Sequence, residues 1–328
     1  MSKRFNNKGL LILLAGLIIL LLLTLFIRIP KESASLKSEL IVIDTSDVSK
    51  IIIYHGMNTA ESIEFIRASD RWTVKQGSIE SASQKGAVQS IFSEALEITP
   101  LYLAATNKSK WEEFELTDSL ATRIKFLDKN GKNLADLLVG KFSYKQQNSP
   151  YAGNYANNIQ GTSYVRLYGE KEVYAVNGFI SFFFKRDFED WRDKTFIYSN
   201  KNDLMSVEFK YPADSSFRLS KRELTWFAGE QLADSLQVEK YLNTLSNLNG
   251  QEIKDNYNPV LNPDLELRVE GNNLVNFTVK CYNDIAAGEY ILNSSLNPEV
   301  YFISKAEGIF GKIFLPRSYF LDQTKKIK

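Results

Sequence analysis

Residues 63–96 read IEFIRASDRWTVKQGSIESASQKGAVQSIFSEAL, and this stretch decides the fold class. Ile63 and Phe65 alternate with polar neighbours, and Trp72 and Val74 do so again, which is the period-2 pattern of short strands with one face buried. The period then changes. Val88, Ile91, Phe92, Ala95 and Leu96 fall on one face of a helix, Ser81 with Gln84 reads as a capping box before it, and Pro100 bounds it. Strands in sequence followed by a helix that must cover them predict an α+β fold on antiparallel sheet.

The same order returns further along the chain. Met205–Tyr211, Ser216–Leu219 and Leu224–Phe227 read as three strands. Asp234 with Gln237 forms a second capping box before a face of Val238, Tyr241, Leu242, Leu245 and Leu248. Trp72 and Trp226 stand 154 residues apart, as do Val88 and Leu242, which predicts an internal duplication. The back of each unit also matches. Ala121–Phe126, a turn at Asp128-Lys129-Asn130-Gly131 and Leu134–Val139 make one hairpin, and Leu265–Val269 with Val275–Cys281 make the other. Tyr164–Leu167 and Val173–Val176 resemble Tyr290–Asn293 and Val300–Ile303. Between the units, Phe179–Asp193 reads as one amphipathic helix whose Ile180, Phe184, Phe188 and Trp191 stripe packs the two together. The expected organisation is a tail and anchor over 1–30, a linker over 31–44, and α+β units over 45–200 and 201–328.

Ahead of this body lies an apolar run. Residues 1–8 carry Lys3, Arg4 and Lys8 and no acid, and from Leu10 to Ile27 only Gly16 and Thr24 are not strongly apolar. As a helix this run spans roughly 27 Å, close to the hydrocarbon thickness of a bilayer. It predicts a transmembrane anchor in contact with lipid over residues 10–29. The flanking bases place the N-terminus inside and the body outside the cytoplasm. A cleavable signal peptide is the rival reading, with Ser33-Ala34-Ser35 as a poor cleavage site.

Charge and rare residues narrow the chemistry. Lys plus Arg number 40 and Asp plus Glu 39, so no concentrated basic footprint points to nucleic acid. Cys281 is the one cysteine, excluding an intrachain disulfide, and its apolar surroundings predict a buried, inert thiol. His55 is the one histidine, so no His/Cys metal cluster and no His-Glu-x-x-His helix can form. Asp128-x-Asn130 opens like a calcium loop, but Lys132 stands where an oxygen ligand belongs, and a hairpin turn is the better reading. No cofactor and no catalytic residue is expected. A hydrolase working through two carboxylates is the minor alternative.

Tyr144–Ser163 is read as irregular and rich in tyrosine and asparagine, a mix that suits contact with a protein or sugar surface. Within it Tyr151, Asn154 and Tyr155 are the candidate binding residues, and Arg166 at its exit is placed to pair with an anionic group.

The anchor, Trp72-Thr73-Val74, the Trp111–Leu116 segment leading into Thr122–Phe126, the Gly131 turn, Leu138-Val139-Gly140-Lys141, Tyr164-Val165-Arg166, Val173–Val176 and Trp191–Phe196 together resemble one bacterial family. It is the membrane-anchored domain-of-unknown-function family numbered 4340. The resemblance implies a repeated α+β region outside the cytoplasmic membrane and a place beside ABC-type transport systems, including those linked to gliding motility. It brings no catalytic residues. The expected role is a non-catalytic membrane-anchored interaction or scaffold protein partnered by a membrane protein such as an ABC-type transporter subunit. A sensor of a small molecule or glycan is the alternative.

Overall fold

The β-branched run ending at Tyr54 forms β1 (Lys50–His55), and the alternating stretches after it form β2 (Ile63–Ala68) and β3 (Arg71–Gln76). These and all later elements are those of a computed structural model that describes residues 13–19, 36–37, 39–57, 60–69, 71–147, 158–259 and 262–321. A turn with Gly77 at φ +58° leads into β4 (Ile79–Ala82). The helix that follows, α1 (Ala87–Leu96), begins later than the sequence suggested. Ser81 lies in β4, where its hydroxyl donates to the Ala82 carbonyl and accepts from Arg192 Nε at 3.2 Å, so it caps nothing. The Ser-x-x-Gln spacing is met, but strand pairing with β3 claims those residues first.

The first sheet is completed by β5 (Pro100–Ala105), β6 (Thr122–Leu127), β7 (Asn133–Gln147), β8 (Asn158–Leu167) and β9 (Val173–Asn177), in the order β4-β3-β2-β1-β6-β7-β8-β9-β5. The Asp128 turn closes β6 onto β7. Its carboxylate accepts the amides of Asn130 and Lys132 at 2.8 Å each, and Gly131 takes φ +78°. Those bonds, to Lys132 first, pull the Asp128 pKa below its usual range. β7 continues to Gln147, past the Val139 end expected from sequence, and its pairing with β8 takes in the two ends of the stretch read as irregular, 144–147 and 158–163.

After β9 the chain forms α2 (Ile180–Phe184) and α3 (Phe188–Trp191) where one helix was expected. The break has a local cause: the Asp187 carboxylate and Asp190 form a capping box that restarts the helix with Asp187 in extended conformation. β10 (Thr195–Tyr198) and β11 (Leu204–Lys210) follow, then β12 (Phe217–Arg222), β13 (Thr225–Ala228) and β14 (Gln231–Leu232). Asp234 caps α4 (Ser235–Ser246), its side chain accepting the amides of Leu236 and Gln237. Next come β15 (Asn247–Asn249), β16 (Glu252–Ile253), β17 (Leu265–Gly271), β18 (Phe277–Asp284), β19 (Glu289–Ser294), β20 (Asn297–Ser304) and α5 (Ile309–Ile313). The second sheet runs β14-β13-β12-β11-β17-β18-β19-β20-β16, strand for strand the order of the first, while β10 pairs with β15 alone.

The duplication is therefore seen in two similarly arranged nine-stranded antiparallel sheets. One offset needs correction. Val88, Ile91, Phe92, Ala95 and Ile98 match Val238, Tyr241, Leu242, Leu245 and Leu248 at 150 residues, not 154. The tryptophans keep 154 because the path from β13 to its helix is four residues shorter than the path from β3. Each helix lays its buried face on its own sheet, where every fully buried apolar side chain contributes roughly 1.5–3 kcal/mol. Each repeat is then closed by one aromatic. Trp191 meets Phe65 edge-on at 5.3 Å and its carbonyl accepts from the Gln84 amide. Phe320 meets Tyr241 at 5.1 Å and its carbonyl accepts from Asp234. By contact the chain divides into two compact units, 1–64 with 89–186, and 65–88 with 187–328.

Most of the apolar run Leu10–Ile27 lies outside the described residues. Residues 13–19 are helical, and no helix among the described residues is long and apolar enough to cross a membrane.

Candidate functional site

Tyr151, Asn154 and Tyr155 lie outside the described residues. Arg166 does not line an open loop. It is 1% exposed on β8, with its guanidinium 3.6 Å from the Trp111 ring centre, donating to the carbonyls of Leu116 (3.1 Å) and Glu170 (3.3 Å). Trp111 Nε1 in turn donates to the Lys171 carbonyl at 3.0 Å. Burial lowers the Arg166 pKa, opposed by the Asp118 carboxylate 3.6 Å away. The side chain is thus spent on backbone carbonyls of two segments, the turn between β8 and β9 and the stretch before β6.

The first candidate surface belongs to the unit of residues 1–64 and 89–186. Phe142 and Tyr144 project from one face of β7, Phe179 precedes α2, and Phe182 lies within it. The rings form one cluster, with Phe142 centred 4.7 Å from Phe182, 5.1 Å from Phe179 and 6.3 Å from Tyr144. Phe179, Phe182 and Tyr144 are nevertheless 48, 59 and 67% exposed. Gly161 on β8 makes the arrangement possible, since a Cβ there would stand 2.9 Å from the Phe142 ring and 3.2 Å from Phe179. Two buried hydroxyls fix α2 over the strands. Ser181 Oγ donates to the Gly140 carbonyl at 2.8 Å, and Ser163 Oγ donates to Gly178 at 3.1 Å while accepting the Ser181 amide. Phe182, the next residue, is held outward by that attachment.

The second candidate lies in the unit of residues 65–88 and 187–328. It is an open cleft of about 860 Å³ with the β3–β4 hairpin as one wall and the β10–β15 ribbon beside the β19–β20 turn as the other. Its walls are joined at the base. The Asp193 amide donates to the Ala82 carbonyl at 2.9 Å, Ser83 bridges Arg192, and Asp193 Oδ1 accepts the Thr195 amide at 2.9 Å. Arg192, 4% exposed, locks this joint. It makes a two-pronged bond to Asp255 (2.6 and 3.0 Å) and further bonds to Glu189 (2.8 Å) and Ser81 (3.2 Å). Burial works against its charge, but the bonds to Asp255 and Glu189 outweigh it and hold its pKa above the ordinary arginine value. Only Arg192 is buried, so losing the two-pronged bond to the partly exposed Asp255 costs about 1.5–3 kcal/mol.

Sequence reasoning found neither surface as such. Phe179 and Phe182 sit in the Phe179–Asp193 stretch but off the stripe that was read, and that was the one available signal. The cleft joins segments more than a hundred residues apart in the chain, and nothing in one sequence marks that meeting. Among the described residues no group of His, Cys, Asp and Glu is placed to hold a metal ion.

No curated protein and no solved structure matches this chain. A family does: residues 77–262, more than half of the chain and running from the β3–β4 turn past β16, match the family described as Domain of unknown function (DUF4340). Two like sheets and this match agree with the order of motifs read from sequence, and the protein belongs to the DUF4340 family.

Proposed function

We propose that this protein is a non-catalytic interaction or scaffold protein, anchored in the bacterial cytoplasmic membrane by the run at residues 10–27. Its body stands outside the cytoplasm as an accessory to an envelope transport or motility complex. The observation that carries the reading is the aromatic cluster of Phe142, Tyr144, Phe179 and Phe182, pre-assembled over Gly161 yet open to water. Ordered, half-exposed aromatics lose little side-chain freedom on docking and return about 1 kcal/mol for each ring withdrawn from water. Lys185 and Arg186 follow directly, with the Arg186 guanidinium 5.7 Å from the Phe183 ring. The matching occupant is an extracytoplasmic loop of a membrane protein, such as an ABC-type transporter subunit, that presents apolar side chains beside acidic ones.

The test is affinity purification of the full chain from its native membrane in mild detergent, beside a Phe179→Ala/Phe182→Ala variant and a chain lacking residues 1–30. The wild type is expected to retain a stoichiometric membrane partner. The double variant is expected to lose at least about tenfold of it at unchanged melting temperature, as for a hot-spot truncation. The shortened chain is expected to leave the membrane fraction. A double variant that keeps its partner in full, or a wild type that brings down none, defeats the reading.

A further inference from the structure

The cleft walled by the β3–β4 hairpin and the β10–β15 ribbon has a composition that selects its ligand. Ligand pockets for apolar molecules are lined mainly by hydrophobic side chains around a few polar groups. Here polar and apolar surface are nearly balanced and polar side chains outnumber apolar ones: Thr73, Thr195, Tyr198, Asn247, Asn249 and Asn297 all line the same space. Asn297 Nδ2 is already used, donating to the Thr195 carbonyl at 3.0 Å. Asn247 and Asn249 are not used in this way. They flank the buried Leu248 on β15, so both amides point to the open side of the strand. No partner for either amide is found among the described residues. Each amide offers an acceptor oxygen and two donor hydrogens. Two of them at i and i+2 on a strand stand about 7 Å apart, within reach of hydroxyls on one extended polyhydroxylated chain.

Charge narrows the class further. The cleft carries Arg71 and Lys85 on one side of the balance and Glu80, Asp193 and Glu299 on the other. Neither a phosphate nor a polycation finds a concentrated opposite charge. Apolar contact is limited to small faces, chiefly Leu296, Pro298 and the Tyr198 ring, which is 73% exposed. A flat ring beside amides and hydroxyls suits the C–H face of a pyranose.

We infer that this cleft is a binding site for an uncharged saccharide chain, with Asn247 and Asn249 bonding its hydroxyls and Tyr198 stacking on a sugar ring. The site is independent of the aromatic docking surface, and either stands if the other fails. The joint at Arg192 serves it by holding the two walls at a fixed separation before ligand arrives, which removes an ordering cost from binding.

Isothermal titration of the full chain in lipid nanodiscs tests the assignment, with cellotetraose and tetra-N-acetylchitotetraose as neutral probes and inorganic phosphate as the charged one. Saturable binding of at least one tetrasaccharide below about 10 mM is expected. The Asn247→Ala/Asn249→Ala variant should weaken it at least about tenfold, since two hydrogen-bonding side chains go. Tyr198→Ala should weaken it about fivefold. Both variants change exposed side chains, so melting temperatures should match the wild type, and Phe182→Ala should leave sugar binding unchanged. No saturable heat from either tetrasaccharide overturns the assignment, and so does binding that survives both cleft variants. Phosphate binding that is lost in Arg71→Ala, without sugar binding, replaces it with an anion site.

Discussion

On β8 the first sheet carries Arg166, opposite Leu138, where on β19 the second carries Asn293, opposite Lys280. Both are buried polar side chains in the strand before a turn, and both turn their hydrogens on backbone carbonyls. Arg166 reaches Leu116 and Glu170, whereas the Asn293 amide reaches Pro298 and Val300 at 3.0 Å each. The first sheet adds Trp111 under the guanidinium, and that ring ties in the Lys171 carbonyl. What the two copies share is thus a requirement, that backbone carbonyls around the strand end be paired, and not a residue type. An arginine in a sequence invites a reading as an anion site. Its counterpart in the repeat shows the position serving the backbone.

The largest test of this equivalence is to remove both side chains in turn. Arg166→Met strands several carbonyls and the Trp111 face, and should cost about 3–5 kcal/mol. Asn293→Leu strands two and should cost about 2–3 kcal/mol. Denaturant midpoints of the full chain measure both. If Arg166→Met costs under about 1 kcal/mol, the guanidinium is not supporting the turn and the parallel breaks.

A second contrast lies where each helix hands over to the next strand. Gly250 stands 150 residues after Pro100, the same offset as the helix faces. Its amide donates to the Lys194 carbonyl, and any Cβ at this position would enter the buried Phe302 ring. Gly250→Ala should cost about 2–3 kcal/mol by overpacking. Pro100→Ala, which removes ring atoms from a buried position and frees the unfolded chain, should cost about 1 kcal/mol. Equal losses in thermal or denaturant melts would show the two handovers to be built alike.

The smallest effect is expected at Cys281, whose register partner in the first sheet is Val139. Cys281→Val replaces a buried side chain by its own counterpart and should change stability by under about 1 kcal/mol at pH 7. Burial pushes the thiol up to about 12. The unfolded thiol therefore loses its proton from about pH 9 while the folded one keeps it. Stability of the wild type should fall as pH rises through that window, and the valine variant should escape this fall. Midpoints at pH 7 and pH 10.5 compare the two, and a constant difference between them would mean that the thiol is not buried as described.

The strands, both main helices and the duplication were legible because alternation and helical period are local. Ile63, Phe65, Trp72 and Val74 carry their strand pattern within a few residues, and so do Val88, Ile91 and Ala95 for a helix. What was illegible depends on pairing. Ser81 satisfies a capping spacing but sits in an edge strand held by β3. The Phe179–Asp193 stretch has a helical stripe, yet Asp187 and Asp190 cap each other in the middle of it. Tyr144–Ser163 looks irregular by composition, while Tyr144 is paired with Gly161 across a long hairpin. Among the candidate binding residues, Arg166 was found by its chemistry and misplaced by its context. Its burial follows from Trp111, 55 residues away, which no local pattern connects to it.

The closing aromatics set an order of events in time. Phe65 waits for Trp191, and Tyr241 waits for Phe320, in each case a ring synthesised near the end of its repeat. At roughly 5–20 residues per second, the ribosome adds the residues between Phe65 and Trp191 over on the order of ten seconds. For that interval the nascent first sheet has an open apolar face, and the same vulnerability recurs when the second sheet is made. A chain built this way gains from being threaded unfolded or held by a chaperone until each repeat receives its closing ring.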